Sequence, residues 1–513
     1  MPFYFEKVNK FKTLSLIFAF YIISFQNVKS QATLQKPNII LIYVDDLGYG
    51  DIGVNGAVGV KTPNIDFMAK NGVNFSDAHC SASTCTPSRY SLLTGSYAFR
   101  SQAAILQGDA PLLINPKKGT LPSMLKKAGY TTGVIGKWHL GLGNGTLDWN
   151  IEISPGPREI GFDYSFVIPA TGDRVPCVFV ENQKVVGLDP NDPIKVSYGE
   201  KIEGYPIGTD HPELLKMGAD LQHKNSIING ISRIGYMSGG KSALWTDEDF
   251  PFILTNKATN FIEQNKTKPF FLFYAYNDIH QPRLPNQKFQ GKSSMGARGD
   301  AIAQMDWCTG EIMKKLKAEG LDKNTMIIFS SDNGPILDDG YADKAIQMVG
   351  NHKPAGIYTG TKYSIYEGGN RMPTIVYWNG TVKPKKSSAL LSQIDLYASL
   401  ATFLKQEIPA GDAPDSQDFM DSWLGKSDKG KEFMLEEGYT SAIRKGDWKY
   451  IKPTKSIGQD FMKNKQIDSG HRVEKRLFNL KTDIKESKNI SEEYPDILLE
   501  LEQKLNEIIS SKK

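Results

Sequence analysis

Residues 37–48 read PNIILIYVDDLG, an unbroken run of large apolar side chains that stops at two carboxylates. Because successive side chains of a strand point to opposite faces, a continuous apolar run predicts a strand that is buried on both faces. Strands of this kind belong to parallel sheets that carry helices on either side. The stretch therefore predicts an α/β fold.

Three further runs have the same form, each ending at polar or ionisable residues: Thr131–Ile135, Phe270–Tyr276 and Met326–Phe329. Helical patterns lie among them, bounded by glycine or by proline in the first turn: Ile65–Lys70, Thr120–Ala128 and Ala301–Ala318. Alternation of strand and helix predicts an α/β sandwich with a large, mostly parallel central sheet flanked by helices.

The character of the chain changes at about residue 405. A hairpin pattern covers Ala442–Ile451, and the last helical pattern places Leu498, Leu501, Leu505 and Ile508 on one face. We interpret 31–404 as a catalytic domain and 405–513 as a smaller C-terminal α+β subdomain. Residues 154–246 are rich in Gly, Pro and Asp with little periodicity, which predicts long loops around a substrate site.

The first thirty residues have the pattern of a signal peptide. Lys7, Lys10 and Lys12 precede an apolar run, Leu14–Phe25, and Val28–Ser30 is a plausible cleavage site. A stable membrane anchor would need about 20 apolar residues, more than this run has. We expect export by a cleavable signal peptide, to the periplasm ahead of the external medium.

Composition argues against a nucleic-acid partner and against a fold held together by disulfides. The formal net charge is only +4 over 513 residues, which argues against nucleic acid as a partner. The four cysteines, Cys80, Cys85, Cys177 and Cys308, are too few and too scattered for a disulfide framework.

Polar side chains follow each predicted strand where it ends: Asp45 and Asp46, Lys137 and His139, Asn277–His280, and Asp332 and Asn333. Ligands of open α/β sheets bind at the carboxyl ends of the strands, so these residues should share one pocket. Three carboxylates and an amide form an oxygen-only ligand set that suits Ca²⁺ or Mg²⁺. No cluster of Cys and His suggests zinc.

The segment STCTPSRYSLLTG, residues 83–95, is the most informative about chemistry. Pro87 favours the first turn of a helix, which places Cys85 at the helix N-terminus and Arg89 one turn further on. A nucleophile at that position lies in the positive field of the helix.

Here the chain resembles the type I sulfatase family, whose members carry Cys-X-Pro-X-Arg and a following Leu-Thr-Gly. Residues 37–48, 136–141, 331–334, 360–373 and 477–480 resemble other blocks of that family in the same order. The resemblance covers nearly all of the mature chain and implies an alkaline-phosphatase-like sandwich.

The resemblance also implies the chemistry. A maturation enzyme would oxidise Cys85 to formylglycine, whose hydrate attacks the sulfur of a sulfate ester. One calcium ion would be held by Asp45, Asp46, Asp332, Asn333 and the modified Cys85, and the sulfate by Arg89, Lys137, His139, His280 and Lys362. We expect His280 to protonate the leaving oxygen and His139 to orient or deprotonate the hydrate.

Substrate recognition is predicted less directly. Candidates for hydrogen bonds to sugar hydroxyls or neighbouring acids are Asp173, Arg174, His211, His223, Asp338, Asp339, His352 and Arg371. Residues 170–176 and 233–240 resemble bacterial sulfatases that act on sulfated glycans. We therefore expect a sulfated polysaccharide or its oligosaccharides, either a marine algal polymer such as ulvan or a glycosaminoglycan.

Two alternatives remain open at this point. A phosphoester or phosphonate hydrolase of the same superfamily would share the metal corner and the cysteine motif. A non-catalytic glycan-binding relative would keep the fold and lose catalytic residues, whereas here each expected position carries the expected residue type.

Overall fold

The run Asn38–Val44 forms a fully buried strand at the centre of a ten-stranded sheet. The structure is a computed structural model that describes residues 1–3, 36–455, 460–465 and 467–511. Apart from its first three residues, the predicted signal peptide lies outside the described residues. Residues Pro37–Lys513 form one compact unit. Within the described part of the chain, no helix is long and apolar enough to cross a membrane.

The strands are, in chain order, β1 Asn38–Val44, β2 Val73–Phe75, β3 Ala78–His79, β4 Thr131–Lys137, β5 Tyr164–Ile168, β6 Val180–Glu181, β7 Lys184–Val185, β8 Lys195–Ser197, β9 Ile227–Ile228, β10 Ile231–Ser232, β11 Tyr236–Ser238, β12 Phe270–Ala275, β13 Thr325–Ser331, β14 Thr374–Tyr377, β15 Lys385–Ser387, β16 Leu391–Ser392, β17 Met434–Glu437, β18 Ser441–Lys445, β19 Trp448–Ile451 and β20 Arg476–Asn479. The α-helices are α1 Pro63–Asn71, α2 Cys85–Thr94, α3 Leu121–Lys127, α4 Phe250–Gln264, α5 Gly296–Ala318, α6 Ala345–Met348, α7 Glu367–Asn370, α8 Leu396–Phe403, α9 Met420–Trp423, α10 Asp460–Asn464 and α11 Pro495–Ser510.

The large sheet has the strand order β15-β2-β14-β13-β1-β12-β4-β5-β6-β7. The central block from β13 to β5 is parallel throughout, whereas β14 and β6 pair in the antiparallel sense with the two edges of that block. The predicted α/β fold with a mostly parallel central sheet is therefore confirmed.

Register brings the carboxyl ends of the central strands together. Val44 is paired with Ser331, Tyr43 with Ala275, and Ala275 with Gly136. Each of these strands therefore ends at the same edge of the sheet, and the residues that follow them meet there.

Helices cover the sheet. The helix α5 packs against α1 and α4, while α2, α3 and α8 pack together as a second group. Side chains of β1 are at most 2% exposed, because helices shield both faces of the strand. Each fully buried Ile or Val contributes roughly 1.5–3 kcal/mol relative to an exposed one, so this strand anchors the core.

A separate antiparallel sheet, β17-β18-β19-β20, follows the large one in sequence. The helix α11 packs on β18 and β19 and buries Leu501 and Leu505 completely, while Leu498 and Ile508 are partly buried on the same face. The predicted hairpin and terminal helix both form. A boundary at residue 405 stays a prediction.

Residues 154–246 contain short strands, single turns of 3-10 helix and long loops, and the sequence predicts the loops. They add β5, β6 and β7 to the large sheet and form two small antiparallel sheets, β8 with β11 and β9 with β10. This region also supplies one wall of the cavity described below.

Candidate active site

The cysteine motif forms a helix that begins at Cys85. All ten residues of α2 are buried, and Pro87 lies in the first turn, where its missing N–H leaves no helical hydrogen bond unmade. The helix ends at Gly95, whose φ of 64° is left-handed and whose N–H bonds to the carbonyl of Ser91. Cys85 is therefore held rigidly at the helix N-terminus.

Four buried residues at the carboxyl edge of the sheet surround this helix end. Lys137 Nζ contacts Asp45 Oδ2, and Lys362 Nζ lies 2.9 Å from Asp46 Oδ1. A Cβ at Gly136 would collide with the carbonyl oxygen of Ala275, so glycine is required just before Lys137. The two lysines thus enter the site as paired, buried cations.

Arg89 is oriented by the third acid. Its Nε and Nη2 lie 2.9 and 2.8 Å from Asp332 Oδ2, and its Nη1 donates to the carbonyl of Lys137 at 3.1 Å. The guanidinium is completely buried. Arg89 therefore ties α2 to the ends of β13 and β4.

The acids leave a place for a hard cation. Ligand atoms of Asp45, Asp46, Cys85 and His280 all lie within 4.8 Å of one another. Within the described residues, Asp45 Oδ1 and Asn333 Oδ1 are buried without any hydrogen-bond partner. Buried acceptors are rarely left unpaired, and these two oxygens belong to an oxygen-rich set that suits Ca²⁺. The residues present therefore fit a calcium ion.

Burial and the neighbouring charges change the acid–base behaviour of this group. Burial, together with repulsion from Asp332, raises the pKa of Asp45 well above its ordinary range. Burial raises the pKa of the Cys85 thiol to about 11, although Lys137 and Lys362 act in the opposite direction. An unmodified thiol here is protonated at neutral pH and is a poor nucleophile.

The two histidines are neutral in this environment. Burial lowers the pKa of His139, with Lys137 and Arg174 adding to the effect, and burial with Lys362 and Lys137 lowers that of His280. His139 Nε2 donates to the carbonyl of Leu106 at 3.0 Å, so its buried Nδ1 is left as an acceptor. His280 Nδ1 donates to the carbonyl of Gln281 at 2.5 Å, so its Nε2 is the acceptor.

Strained backbone marks the same region. Asp46, His139 and Tyr363 adopt left-handed conformations, with φ of 60°, 55° and 74°. Residues other than glycine rarely do so, and such outliers concentrate at functional sites.

Above Cys85 lies a cavity of about 430 Å³. Its walls include Cys85, His139, His280 and Lys362 together with four of the predicted substrate-binding residues: Asp173, Arg174, His223 and Asp339. Arg174 pairs with Asp173 at 2.6 Å, and His223 lies between Asp220 at 2.7 Å and Asp173 at 3.5 Å. Polar groups thus face the cavity in fixed positions.

The structure does not bring the other four predicted substrate-binding residues to this cavity. His211 is exposed and pairs with Glu213 at 3.1 Å, and Asp338 accepts the N–H of Gly340. His352 is buried against Asp51 at 2.8 Å. Arg371 is buried between Glu367 and Asp77. Each has a structural partner elsewhere.

Sequence reasoning also missed several residues of the cavity wall. Gln222, Tyr363, Tyr439 and Phe461 line it without having been singled out. Tyr363 follows Lys362 directly and could have been included on that ground. Tyr439 and Phe461 belong to the C-terminal region, where no motif pointed to the active site.

Comparison with known proteins agrees with this arrangement. A family model described as Sulfatase matches residues 37–405. A buried cysteine at a helix N-terminus, paired buried lysines and an oxygen-rich set of side chains are the arrangement expected of a hydrolase of anionic esters. The chain belongs to the sulfatase family, and it is an enzyme that hydrolyses sulfate esters.

The relatives are similar over long stretches. N-acetylgalactosamine-6-O-sulfatase of Bacteroides thetaiotaomicron is 50% identical over 478 residues, which cover 92% of this chain and 93% of that one. A solved structure from work on glycosaminoglycan metabolism in the same organism has a TM-score of 0.91 at 49% identity, and the match covers 93% of this chain and all of that one. Mouse N-acetylgalactosamine-6-sulfatase is 30% identical over 405 residues, covering 76% of this chain and 66% of that one.

Proposed function

We propose that this sulfatase removes the 6-sulfate of N-acetylgalactosamine in glycosaminoglycan oligosaccharides, with a formylglycine made from Cys85 and one calcium ion. The observation that carries the proposal is the position of Cys85 at the floor of a sugar-sized cavity, within 4.8 Å of the ligand atoms of Asp45, Asp46 and His280. Half of all aligned residues are shared with a relative named for this substrate.

The two groups that maturation and binding would add have defined roles. As a formylglycine hydrate, residue 85 would supply the hydroxyl that attacks sulfur. Calcium, held by Asp45, Asp46, Asp332, Asn333 and residue 85, would stabilise negative charge on the sulfate oxygens.

The remaining work falls to residues of the chain. Lys137 and Lys362 present fixed positive charge beside residue 85, where the charge of the sulfate and leaving oxygen accumulates. Arg89 holds Asp332 in place. The buried Nδ1 of His139 has no hydrogen-bond partner among the described residues and can accept a proton. A bound sulfate would oppose the depression of the His280 pKa by Lys362, so His280 can carry the proton for the leaving oxygen.

Recognition of the sugar is assigned to the polar wall. Asp173, Arg174 and His223 come from the loop region, and Asp339 from the segment after β13. Their pairing fixes acceptors and donors that a hexosamine could bridge. Of the polymers that the sequence left open, the names of the relatives that share about half of the aligned residues favour a glycosaminoglycan over ulvan.

The test uses protein that has been coexpressed with a formylglycine-generating enzyme. The mass of the peptide that contains Cys85 reports the conversion, and sulfate release is measured from N-acetylgalactosamine carrying 6-sulfate or 4-sulfate. N-acetylglucosamine-6-sulfate tests selectivity for the configuration of the sugar at C4. N-acetylgalactosamine-6-phosphate tests the phosphoesterase alternative. We expect the fastest release from N-acetylgalactosamine-6-sulfate, and we expect Cys85→Ala to abolish it. Faster release from the 4-sulfate or the phosphate would overturn the proposal.

Export rests on the sequence alone. We propose that residues 1–30 are removed as a signal peptide and that the mature protein works in the periplasm. N-terminal sequencing of the protein from the periplasmic fraction tests this, because a retained Met1 would contradict it.

A further inference from the structure

The cavity above Cys85 has two unlike sides. One side carries ionisable groups, among them Arg174, His280 and Lys362. The other side is apolar, formed by Ile105, Tyr363, Tyr439 and Phe461. The reaction described above uses only the charged side.

The apolar side is a packed cluster with its own small core. Tyr363 and Met462 are 6% and 2% exposed, and Tyr439 and Phe461 pack against this core while remaining half-buried. The ring centroids of Tyr363 and Phe461 lie 5.1 Å apart in an edge-on arrangement, and those of Tyr363 and Tyr439 lie 6.4 Å apart. Tyr439 and Phe461 therefore keep ring surface available on the cavity side.

Two contacts fix this wall relative to the charged side. Lys465, at the end of α10, pairs with Asp220 at 3.1 Å, and Asp220 also binds His223 at 2.7 Å. Tyr363 donates its hydroxyl to Asp339 Oδ1 at 2.9 Å, and the other oxygen of Asp339 lies 2.9 Å from Lys362 Nζ. The aromatic wall thus begins next to the lysine that faces the sulfate.

We propose that Tyr439 and Phe461 are specificity-determining residues that stack on the sugar ring and select a galacto-configured ring. This inference rests on the proposed function and names the part of the site that recognises the ring. A sulfate on C6 is one methylene away from the ring, so a sulfate held near Lys362 brings the ring against the wall that begins there.

The chemistry of the ring supplies the selection. When O4 is axial, the hydrogens of C3, C4 and C5 lie on one face and form a continuous apolar patch. When O4 is equatorial, the hydrogen of C4 points to the opposite face and the patch is broken. The faces of aromatic rings carry negative charge and attract the weakly positive C–H groups of such a patch, while its apolar area leaves water.

The experiment compares the 6-sulfates of methyl galactoside and methyl glucoside, which differ only at C4. Matured enzyme is assayed as wild type, Tyr439→Ala, Phe461→Leu and the conservative variant Tyr439→Phe. We expect wild type to prefer the galactoside by at least tenfold in kcat/KM. Tyr439→Ala and Phe461→Leu should lower that ratio at least fivefold, mainly through KM for the galactoside. Tyr439→Phe keeps the ring and should retain the wild-type ratio.

The outcomes separate the two proposals. A wild-type ratio that persists in both Tyr439→Ala and Phe461→Leu, with melting temperatures unchanged, would overturn stacking and leave the proposed function standing. Equal loss of kcat on both epimers would assign the rings a merely structural role and would also overturn it. If wild type released sulfate from neither epimer nor from N-acetylgalactosamine-6-sulfate, the proposed function and this inference would fall together.

Discussion

Among the buried charged side chains of the described residues, two groups invite comparison because they differ in one decisive respect. The first, at Cys85, borders the cavity. The second contains Asp77, His79 and Glu367, which precede residue 405, with Glu436, Arg444 and Lys449 of the C-terminal sheet. Either group could be taken for a metal site, since each has at least three ligand-type side chains within 4.8 Å.

The difference lies in the partners of the carboxylates. In the second group, Asp77 Oδ1 contacts Arg371 and Arg444 at 2.8 Å, and the two oxygens of Glu367 contact Lys449 at 2.9 Å and Arg371 at 2.6 Å. The two oxygens of Glu436 lie 2.8 Å from His79 Nδ1 and 2.9 Å from Lys449 Nζ. At the first group, Asp45 Oδ1 and Asn333 Oδ1 have no hydrogen-bond partner among the described residues. A closed set of ion pairs neutralises the charges buried between the C-terminal sheet and the segments around β3 and α7, whereas unpaired oxygens beside a cavity can bind a cation.

The largest expected effect is on catalysis and is confined to the first group. Cys85→Ala should lower sulfate release by about 10⁴-fold or more, because the nucleophile is lost outright. The melting temperature should change by only a few degrees. Substituting Cys80, a buried thiol outside the cavity wall, by Ala is the matched control, and comparable loss there would contradict the assignment.

A pair of buried lysines tests the comparison directly. Lys362→Ala should lower kcat by about 10²–10³-fold, as removal of a charge-stabilising donor does. Lys449→Ala should instead lower the free energy of unfolding by about 3–5 kcal/mol, because Glu367 and Glu436 lose the buried cation that lies between them. Steady-state kinetics and denaturant unfolding of both variants test this prediction. A large loss of stability in Lys362→Ala together with a large loss of kcat in Lys449→Ala would contradict the distinction between the two groups.

Calcium should act on the first group alone. A ligand that binds only the folded state stabilises it by about 2.7 kcal/mol at 100 times its Kd. We therefore expect calcium to raise the melting temperature. A chelator should lower both the melting temperature and the activity. Asp45→Asn should abolish this shift, while Asp77→Asn should keep it. A calcium shift that survives in Asp45→Asn would place the ion elsewhere.

The smallest effect concerns the pH dependence of the second group. Burial opposes charge on His79, but its hydrogen bond to Asp77 and its contact with Glu436 raise the pKa above the ordinary 6.5, with Glu367 assisting and Arg444 beside it. A raised pKa gives stability that is complete below pH 6.5 and is lost as pH rises through the folded value.

The stability advantage of wild type over His79→Gln should therefore be largest in mild acid and shrink on the alkaline side. One pKa unit corresponds to about 1.4 kcal/mol, so the change is modest. Melting temperatures of both proteins across this range measure it. An advantage that grows with pH would mean that His79 is neutral in the folded protein.

Much of the fold could be predicted because it depends on local pattern. β1 ends where the sequence predicts, since its apolar run stops where two carboxylates begin. β4 continues to Lys137, beyond its predicted end, because its last residues pair with β5. β13 starts at Thr325, one residue before its predicted start, because Thr325 pairs with β1. The helix α5 begins at Gly296 rather than at the predicted Ala301. Its first turn lacks the regularly spaced apolar residues by which a helix is recognised in a sequence.

The sequence by itself determined which residues share the edge of the sheet, because strand ends and motif blocks are local features. It could not decide which distant charges become partners. His352 and Arg371 have the same chemistry as His223 and Arg174, yet the first pair is buried against Asp51, Asp77 and Glu367 while the second faces the cavity. Tyr439 and Phe461 reach the cavity from the C-terminal region only because Tyr363 and Met462 pack against them. Which charged side chains become ion-pair partners depends on long-range packing, and no local sequence pattern encodes that packing. For this reason only the tertiary structure distinguishes the group at Cys85 from the ion-paired group at Glu367.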